Sequence, residues 1–513
     1  MKIIQVYSTL NIYLVLFVAL LTDAKLQCEE VSKSLESNEP VEYNVAKKCL
    51  ESFPYNARHA TETVDSVLHF LSNYYVFLDR AKDNPPSGFK YQPVDLKTEL
   101  ISLHGFKKYS FKLKDGHTRV TNLCYQNFIY DQNLALYSVI TTDKVGKKDQ
   151  VFNDTLDPSN NDCEITEIGG KPALKAIIDF ANDKIAYSKD QGVRFNMALA
   201  LSINSFSQQF NLRGDFPETS NITYNLSCSK NKSFTLERKW NITYKNGFGL
   251  FNNFCMNQNN NTIFSPNDNF ASSDKDTEST LATESISSDK FEPPESSNEN
   301  KKIAHAKLVV EDFYLLDDGK TKVGVAVITR ERQDHDNILK DGFQELNKRD
   351  MSNNIGGALT VPLFLTSLLF SSKQPNSFPT DITIQNFTIP KIEKNLIQVV
   401  LINASEFIGS RKKRTSNLYL NALTSNEEKI LNNTNTSSFP WIGDYIIIIT
   451  NGFCASSCAL LTLFFSEIHK VKTIAVGGLL DTQMSFSTFP GGEVQSLMLF
   501  HYFLVIISLM FRE

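Results

Sequence analysis

The sequence predicts an α/β fold for the second half of the chain. From about Ile303, β-branched and apolar runs return, and segments with helical spacing separate them. Continuous apolar runs of this kind are typical of strands covered on both faces. The runs are Leu308–Leu316, Val323–Ile328, Leu396–Leu401, Tyr445–Ile449 and Thr473–Val476.

Length and charge restrict the possible classes. At 513 residues the chain is long enough for roughly two to four domains. A net charge of -5 and the lack of a basic stripe argue against nucleic acid as a partner. Lys2, the apolar run from Ile12 to Leu21 and the small residue Ala24 form the three parts of a secretory signal, so residues 1–24 are predicted to be a signal peptide.

Sequons and cysteines support export to an extracellular or luminal compartment. Ten asparagines occupy Asn-x-Ser/Thr sequons and are predicted glycosylation sites: Asn153, Asn221, Asn225, Asn231, Asn241, Asn260, Asn386, Asn403, Asn432 and Asn435. The cysteine count is even, at eight, and in an exported chain we expect disulfides. Cys454 and Cys458 lie one helical turn apart; they could pair with each other or equally with other cysteines. We expect no metal site there, because His and acidic ligands are lacking nearby.

The first half divides into three predicted regions. Residues 25–110 are predicted to be helical, since apolar side chains recur at helical spacing over 60–82 and again from Val94 to Leu103. In 111–160, the Asp115-Gly116 turn places His117 at the start of a strand, where it is a candidate general base or simply a turn histidine. Residues 161–263 are expected to form a β-rich domain, and the acidic, Ser/Thr-rich stretch 264–302 a disordered linker.

The most informative stretch runs from Ile446 to Glu467. A buried β-branched run ends at Asn451-Gly452, and Ser456 and Ser457 follow at the start of an apolar helix. A strand that delivers a hydroxyl to a helix N-terminus is the layout of a nucleophile turn, because the helix dipole there favours negative charge. An ordinary buried strand followed by a serine-capped helix explains the same pattern equally well.

Several segments together resemble the C-terminal-processing, tail-specific serine peptidases, and more narrowly their secreted branch related to the chlamydial protease-like activity factor. The resemblance covers roughly residues 45 to 495. The matching pieces, in family order, are Tyr75 to Asp79 with Asn84-Pro85-Pro86, Lys114 to Thr118, Ile165 to Pro172, Asp350 to Gly357, Thr450 to Ala459, Lys472 to Gly478, and Phe489 to Gly492.

This resemblance implies a crotonase-like α/β catalytic core over 303–495, a PDZ-like module over 161–263 and a serine endopeptidase without a cofactor. It makes Ser456 the nucleophile and His117 the general base. The loop at Gly356 and Gly357, together with the backbone N–H of Ser457, would form the oxyanion hole. Glu493 is the nearest acidic candidate for the third member. No lysine follows Lys472, which favours a Ser-His over a Ser-Lys mechanism.

Two departures matter for function. The residues before Asp350 have no strand character, so we expect one core strand to be absent. The chain also ends at Glu513, after an apolar run over 497–511 that suggests a truncated C-terminus or, less favoured, a membrane-associated tail. We therefore expect a secreted endopeptidase acting on polypeptides; the alternative is a catalytically impaired secreted relative that acts as a binding module. A homo-oligomer stays open.

Overall fold

The computed structural model describes the following parts of the chain: 27–53, 57–74, 80–85, 89, 91–95, 98, 112–116, 123–140, 147–200, 209–228, 232–245, 247–256, 305–310, 313–317, 322–328, 339, 343, 351–352, 360–370, 379–380, 387–393, 396–402, 419–420 and 442–488. The predicted signal peptide, the predicted linker 264–302 and the apolar tail 496–513 lie outside these ranges, as does most of the predicted helix Val94 to Leu103.

The protein is a mixed helix and sheet structure. Its helices are α1 (27–36), α2 (Tyr43–Ser52), α3 (Ala57–Tyr74), α4 (Leu123–Gln126), α5 (Ala173–Lys184), α6 (Gln191–Ala198), α7 (Gly247–Phe251), α8 (Thr360–Leu369) and α9 (Ser457–Glu467). Its strands are β1 (Phe128–Asp131), β2 (Leu134–Ile140), β3 (Lys147–Asp154), β4 (Glu164–Ile168), β5 (Lys171–Pro172), β6 (Leu212–Arg213), β7 (Asn221–Cys228), β8 (Lys232–Lys239), β9 (Asn241–Tyr244), β10 (His305–Val310), β11 (Phe313–Asp317), β12 (Lys322–Val327), β13 (Met351–Ser352), β14 (Pro379–Thr380), β15 (Phe387–Glu393), β16 (Leu396–Ile402), β17 (Tyr419–Leu420), β18 (Ile447–Thr450) and β19 (Lys472–Ala475).

The first large sheet is antiparallel, with strand order β2-β3-β4-β7-β8 and β5 paired to β4. Helix α5 packs on it because Ala173, Ile177 and Ala181 recur every four residues and are all buried. The strand, turn and helix predicted over 164–181 are present as β4, β5 and α5. Strands β3 and β4 pair in this sheet, although they lie on opposite sides of the region boundary predicted at residue 160.

A smaller sheet, β6-β1-β9, packs with the N-terminal helices. Its core is aromatic: Phe128 meets Tyr244 and Phe251 edge to face, with ring centroids 5.0 and 6.0 Å away. The disulfides Cys28–Cys49 and Cys124–Cys255 close this cluster. The N-terminal part of the protein therefore has a core of its own.

The second large sheet has the order β10-β11-β12-β13-β18-β19. Strands β10 to β12 are antiparallel, whereas β12, β13, β18 and β19 run parallel. Helices α8 and α9 form one core with this sheet, in which Leu365 and Phe465 are fully buried beside Ile446 and Ile448. Parallel strands and their helices in this region agree with the α/β prediction; the crotonase-like core and the PDZ-like module stay predictions.

One expectation about this sheet is wrong. We expected a core strand before the glycine pair to be absent, but β13 stands between β12 and β18. Among the described residues it comprises Met351 and Ser352, which follow Asp350 in the sequence. Its carboxyl end faces the same edge of the sheet as the end of β18, because the two strands are parallel.

Two predicted runs differ in detail. Leu308–Leu316 contains two antiparallel strands, β10 and β11, instead of one. Leu396–Leu401 forms β16, which pairs only with β15 as a two-stranded ribbon among the described residues. Within the described ranges, no helix is both long enough and apolar enough to cross a membrane.

Candidate active site

Ser456 is the residue at which strand β18 passes into helix α9. The strand ends at Thr450, the helix begins at Ser457, and Ser456 is the N-cap, with φ 56° and ψ -124°. Such a conformation costs a residue other than glycine about 1–3 kcal/mol and persists only where the surroundings fix it. A strained strand-to-helix turn of this kind exposes the nucleophilic serine of many hydrolases. The predicted nucleophile therefore has a backbone conformation typical of that role.

Short-range hydrogen bonds fix the start of the turn. Thr450 Oγ1 accepts from the N–H of Gly452 at 3.0 Å, and Asn451 Oδ1 accepts from the N–H of Phe453 at 3.0 Å. Side chains of Thr and Asn that bond to the backbone two residues on are a common cause of turns. The isoleucine-rich strand ends at Thr-Asn-Gly for this reason.

A disulfide spans the predicted nucleophile, Ser456. Cys454 and Cys458 are bonded to each other, with Ser456 midway between them in sequence, and both cysteines are buried. This settles the pairing that the sequence left open. All eight cysteines of the chain are in disulfides, as expected for a protein that folds in an oxidising compartment.

The turn lies between two hydrophobic cores. Phe453 and Ala455 belong to the core beneath the first large sheet, whereas Leu461 and Phe465 of α9 belong to the core of the second. Their burial is nearly complete, since none of the four is more than 4% exposed. Because close-packed interiors resist displacement, both sides of the turn hold the backbone of Ser456 in place.

Helix α6, from the first half of the chain, lies against this turn. A Cβ at Gly452, whose φ is +83°, would lie 2.4 Å from Val193 Cγ2. Asn196, one turn further along α6, donates through Nδ2 to the carbonyl oxygen of Asn451 at 2.7 Å. Glycine is therefore required at 452 both by the backbone angle and by the approach of α6.

The segment after β19 wraps around the turn. The N–H of Val476 donates to the carbonyl of Thr450 at 2.8 Å, and the N–H of Thr488 donates to the carbonyl of Cys454 at 3.0 Å. The same segment is tied to the entry of α6, because the N–H of Ser485 donates to Asp190 Oδ2 at 2.8 Å. Residues 476–488 thus form one wall beside Ser456.

The residues just before His117 are anchored to the segment that also supports the turn of Ser456. Lys114 Nζ donates to the carbonyl oxygens of Asn182 and Ile185, each at 2.7 Å, at the C-terminal end of α5. Arg194 of α6 donates to Asn182 Oδ1 at 2.7 Å. Burial and, to a smaller extent, the charge of Arg194 lower the pKa of Lys114 to about 7. The segment before His117 and the turn of Ser456 therefore share one support, residues 182–196.

The predicted site residues fall into two groups. Ser456 and Ser457 are described, and Ser457 is fully buried at the first position of α9, where the helix dipole favours negative charge. His117, Gly356, Gly357 and Glu493 lie outside the described residues. Their distances to Ser456 stay predictions.

Four predicted glycosylation sites are described, and all are half-buried on strands. Asn221 and Asn225 lie on β7, where their Nδ2 atoms donate to Glu237 and Glu167 at 2.7 and 2.6 Å. Asn153 lies on β3 and Asn241 on β9. The remaining six sequons lie outside the described ranges, and occupancy stays a prediction at all ten.

Sequence analysis did not single out α6 and its two contacts with the turn. Asn196 carries no local signal, because a buried asparagine inside a short helix resembles a polar surface position. The glycines at 452 and 477 are a signal that could have pointed to a close approach, but they do not say which element approaches.

No family model matches the chain, and no curated protein matches it. Among solved structures, mature CPAF complexed with lactacystin is similar at 12% identity over 82% of this chain and 84% of that chain, with a TM-score of 0.44. A second structure, of mature CPAF, is similar at 11% identity over 82% of each chain, with a TM-score of 0.45.

Proposed function

We propose that this protein is a secreted serine endopeptidase that hydrolyses polypeptides through Ser456. The observation that carries the proposal is the backbone of Ser456, which holds a costly positive φ at the mouth of a parallel strand and at the N-terminus of a helix. A serine that merely capped a helix would not need this conformation. Two packed cores and a disulfide support the turn.

In the proposed reaction, His117 accepts the proton of the Ser456 hydroxyl while Oγ attacks the scissile carbonyl carbon. The oxyanion of the tetrahedral intermediate accepts hydrogen bonds from the N–H of Ser457 and from the loop of Gly356 and Gly357. The C–N bond then breaks, and His117 returns its proton to the leaving amine. Water, deprotonated by His117, hydrolyses the acyl-enzyme and restores the serine. Glu493 is the proposed partner that orients the imidazole.

Two features favour the assembly of this site. Lys114, just before His117, is anchored on residues 182–185, and Tyr187 O in the same segment accepts a hydrogen bond from Thr488, whose N–H binds Cys454. The loop of Gly356 and Gly357 follows β13, whose end lies beside the end of β18. The parallel strands would bring that loop to the edge where the nucleophile turn begins.

A fluorophosphonate probe tests the proposal, since it reacts covalently with an activated serine. Folded wild-type protein should be labelled, and a Ser456→Ala or His117→Ala substitution should abolish labelling. Matched controls are Ser466→Ala, on the same helix, and His69→Ala, on the exposed side of α3; both should be labelled like the wild type.

Peptide mapping should place the label on Ser456. Folded wild-type protein that is not labelled would overturn the proposal and support the binding-module alternative. Labelling that survives His117→Ala would overturn the assignment of the base alone.

A further inference from the structure

Asn196 is a buried amide that reaches from the first half of the chain to two backbone segments beside the nucleophile. It lies on α6 and is 1% exposed. Its Nδ2 donates to the carbonyl oxygens of Asn451 at 2.7 Å and Val476 at 3.0 Å, and its Oδ1 accepts from the N–H of Gly478 at 2.6 Å. One side chain therefore joins the entrance of the turn to the exit of β19.

Only an amide of this size satisfies these partners. Two carbonyl oxygens require two N–H donors, and one backbone N–H requires an acceptor; the asparagine amide supplies both in one plane. An aspartate would set a carboxylate oxygen against two carbonyl oxygens. A leucine would leave all three backbone groups buried without this partner, at about 1–3 kcal/mol for each.

Two glycines of the 476–478 segment lie close to Asn196 or its neighbour Met484. At Gly477, with φ +90°, an added Cβ would lie 2.4 Å from Asn196 Oδ1 and 2.8 Å from its Nδ2. At Gly478, with φ +69°, it would lie 2.9 Å from Met484 Sδ, and Met484 also contacts the Asn196 amide. The exit of β19 is thus shaped to receive the amide of Asn196.

We propose that Asn196 is a positioning residue that holds Asn451 and the 476–478 segment in register, and so keeps Ser456 at its reactive angle. This rests on the proposed peptidase function. The residue does not touch the reacting atoms. It acts through the entrance of the turn, where a displacement of about 1 Å costs a reaction roughly a hundredfold in rate.

The test separates positioning from stability. Inactivation by a fluorophosphonate gives kinact, the rate constant of the covalent step, and KI, the inhibitor concentration at half the maximal rate. Urea unfolding, measured in parallel, gives the stability. In Asn196→Asp, kinact should fall about 10- to 100-fold while KI stays within about threefold, because alignment and not affinity is lost. The matched control is Asn211→Asp. Asn211 is also 1% exposed, but its amide donates to Gln132 and Tyr224. That variant should be destabilised and keep the wild-type kinact.

A second variant approaches the same contact from the other side. Gly477→Ala keeps Asn196 but places a methyl group against its Oδ1, so kinact should fall as in Asn196→Asp. If Asn196→Asp does not fold, Gly477→Ala alone tests whether Asn196 positions the turn. Equal kinact in wild type, Asn196→Asp and Asn211→Asp, or an unchanged kinact in folded Gly477→Ala, would overturn the inference alone. Folded wild-type protein that resists the probe would overturn the proposed function and this inference with it.

Discussion

Cys454 and Cys458 are bonded to each other with Ser456 between them, so the proposed nucleophile sits inside the smallest disulfide loop of the protein. The two cysteines are only 4 positions apart, compared with 21 for Cys28 and Cys49. Loop entropy alone gives a bridge this short about 2 kcal/mol of stabilisation, against about 3 kcal/mol for the longer one. The short bridge therefore matters more for the shape of the turn than for the stability of the fold.

Replacing both Cys454 and Cys458 by serine should slow labelling of Ser456 by at least about tenfold, because the turn loses its covalent constraint. The unfolding free energy should fall by only about 2 kcal/mol. Replacing Cys28 and Cys49 by serine is the matched control. It should lower the unfolding free energy by a larger amount and leave the labelling rate of Ser456 unchanged. Labelling that is lost to the same degree in both variants would contradict this distinction.

Gly452→Ala should destabilise the protein by about 2 to 4 kcal/mol, because φ is +83° and the new methyl group would overlap Val193. Labelling of Ser456 should fall with it. The control is Gly214→Ala, where an added Cβ meets no atom within 4 Å. Because Val193→Ala removes Cγ2, Gly452→Ala should cost less stability in a Val193→Ala background than in the wild type; an equal cost in both backgrounds would show that this overlap is not the cause.

Lys114 should make stability rise with pH. Its pKa is lowered from 10.5 to about 7, so between these values the unfolded chain binds the proton that the folded protein has released. The unfolding free energy should therefore increase by about 2 to 3 kcal/mol between pH 7 and pH 9. The increase is absent well below pH 7, where Lys114 is protonated in both the folded and the unfolded state.

Urea unfolding of the wild type and of Lys114→Met at pH 7 and pH 9 isolates this contribution, which the methionine variant should lack. Lys175→Met is the control, because Lys175 is exposed and pairs with Asp179 on the surface of α5. Equal pH dependence in the wild type and Lys114→Met would contradict the burial of a titrating amine at this position.

Expression in a secretory host should yield protein with glycans at Asn221 and Asn225, because both lie on the half-exposed face of β7. Each is held by a carboxylate through an exposed hydrogen bond that a glycan can replace. Enzymatic deglycosylation followed by peptide mass spectrometry identifies the sites, and Asn221→Gln with Asn225→Gln removes them. Secreted protein with unmodified asparagines at both sites would contradict this prediction.

The elements with strong local patterns were predictable from sequence. Helix α3 followed from apolar spacing, and β18, the turn and α9 followed from an isoleucine run that ends at Asn-Gly. The short strand β13 was missed because two residues give no periodic pattern. Its place is set by its neighbours Ala326 and Ile448 instead.

The support of the site was not predictable, because it depends on contacts between distant segments. Asn196 and Asn451 are 255 residues apart, and no spacing rule links them. The sequence analysis drew nothing from the glycine at 477, and only the structure shows that Asn196 approaches it. The pairing of Cys454 with Cys458 likewise needed the irregular backbone at Ser456, since an uninterrupted helix would have held the two side chains poorly.

The placement of Phe453 and Ala455 in the core beneath the first large sheet has a consequence for synthesis. A ribosome completes the strands of that sheet long before it reaches these two residues. Until they emerge, that core lacks two of its buried side chains, and their apolar neighbours stay exposed to solvent. The core beneath the first large sheet can therefore be completed only after residue 455 has been synthesised.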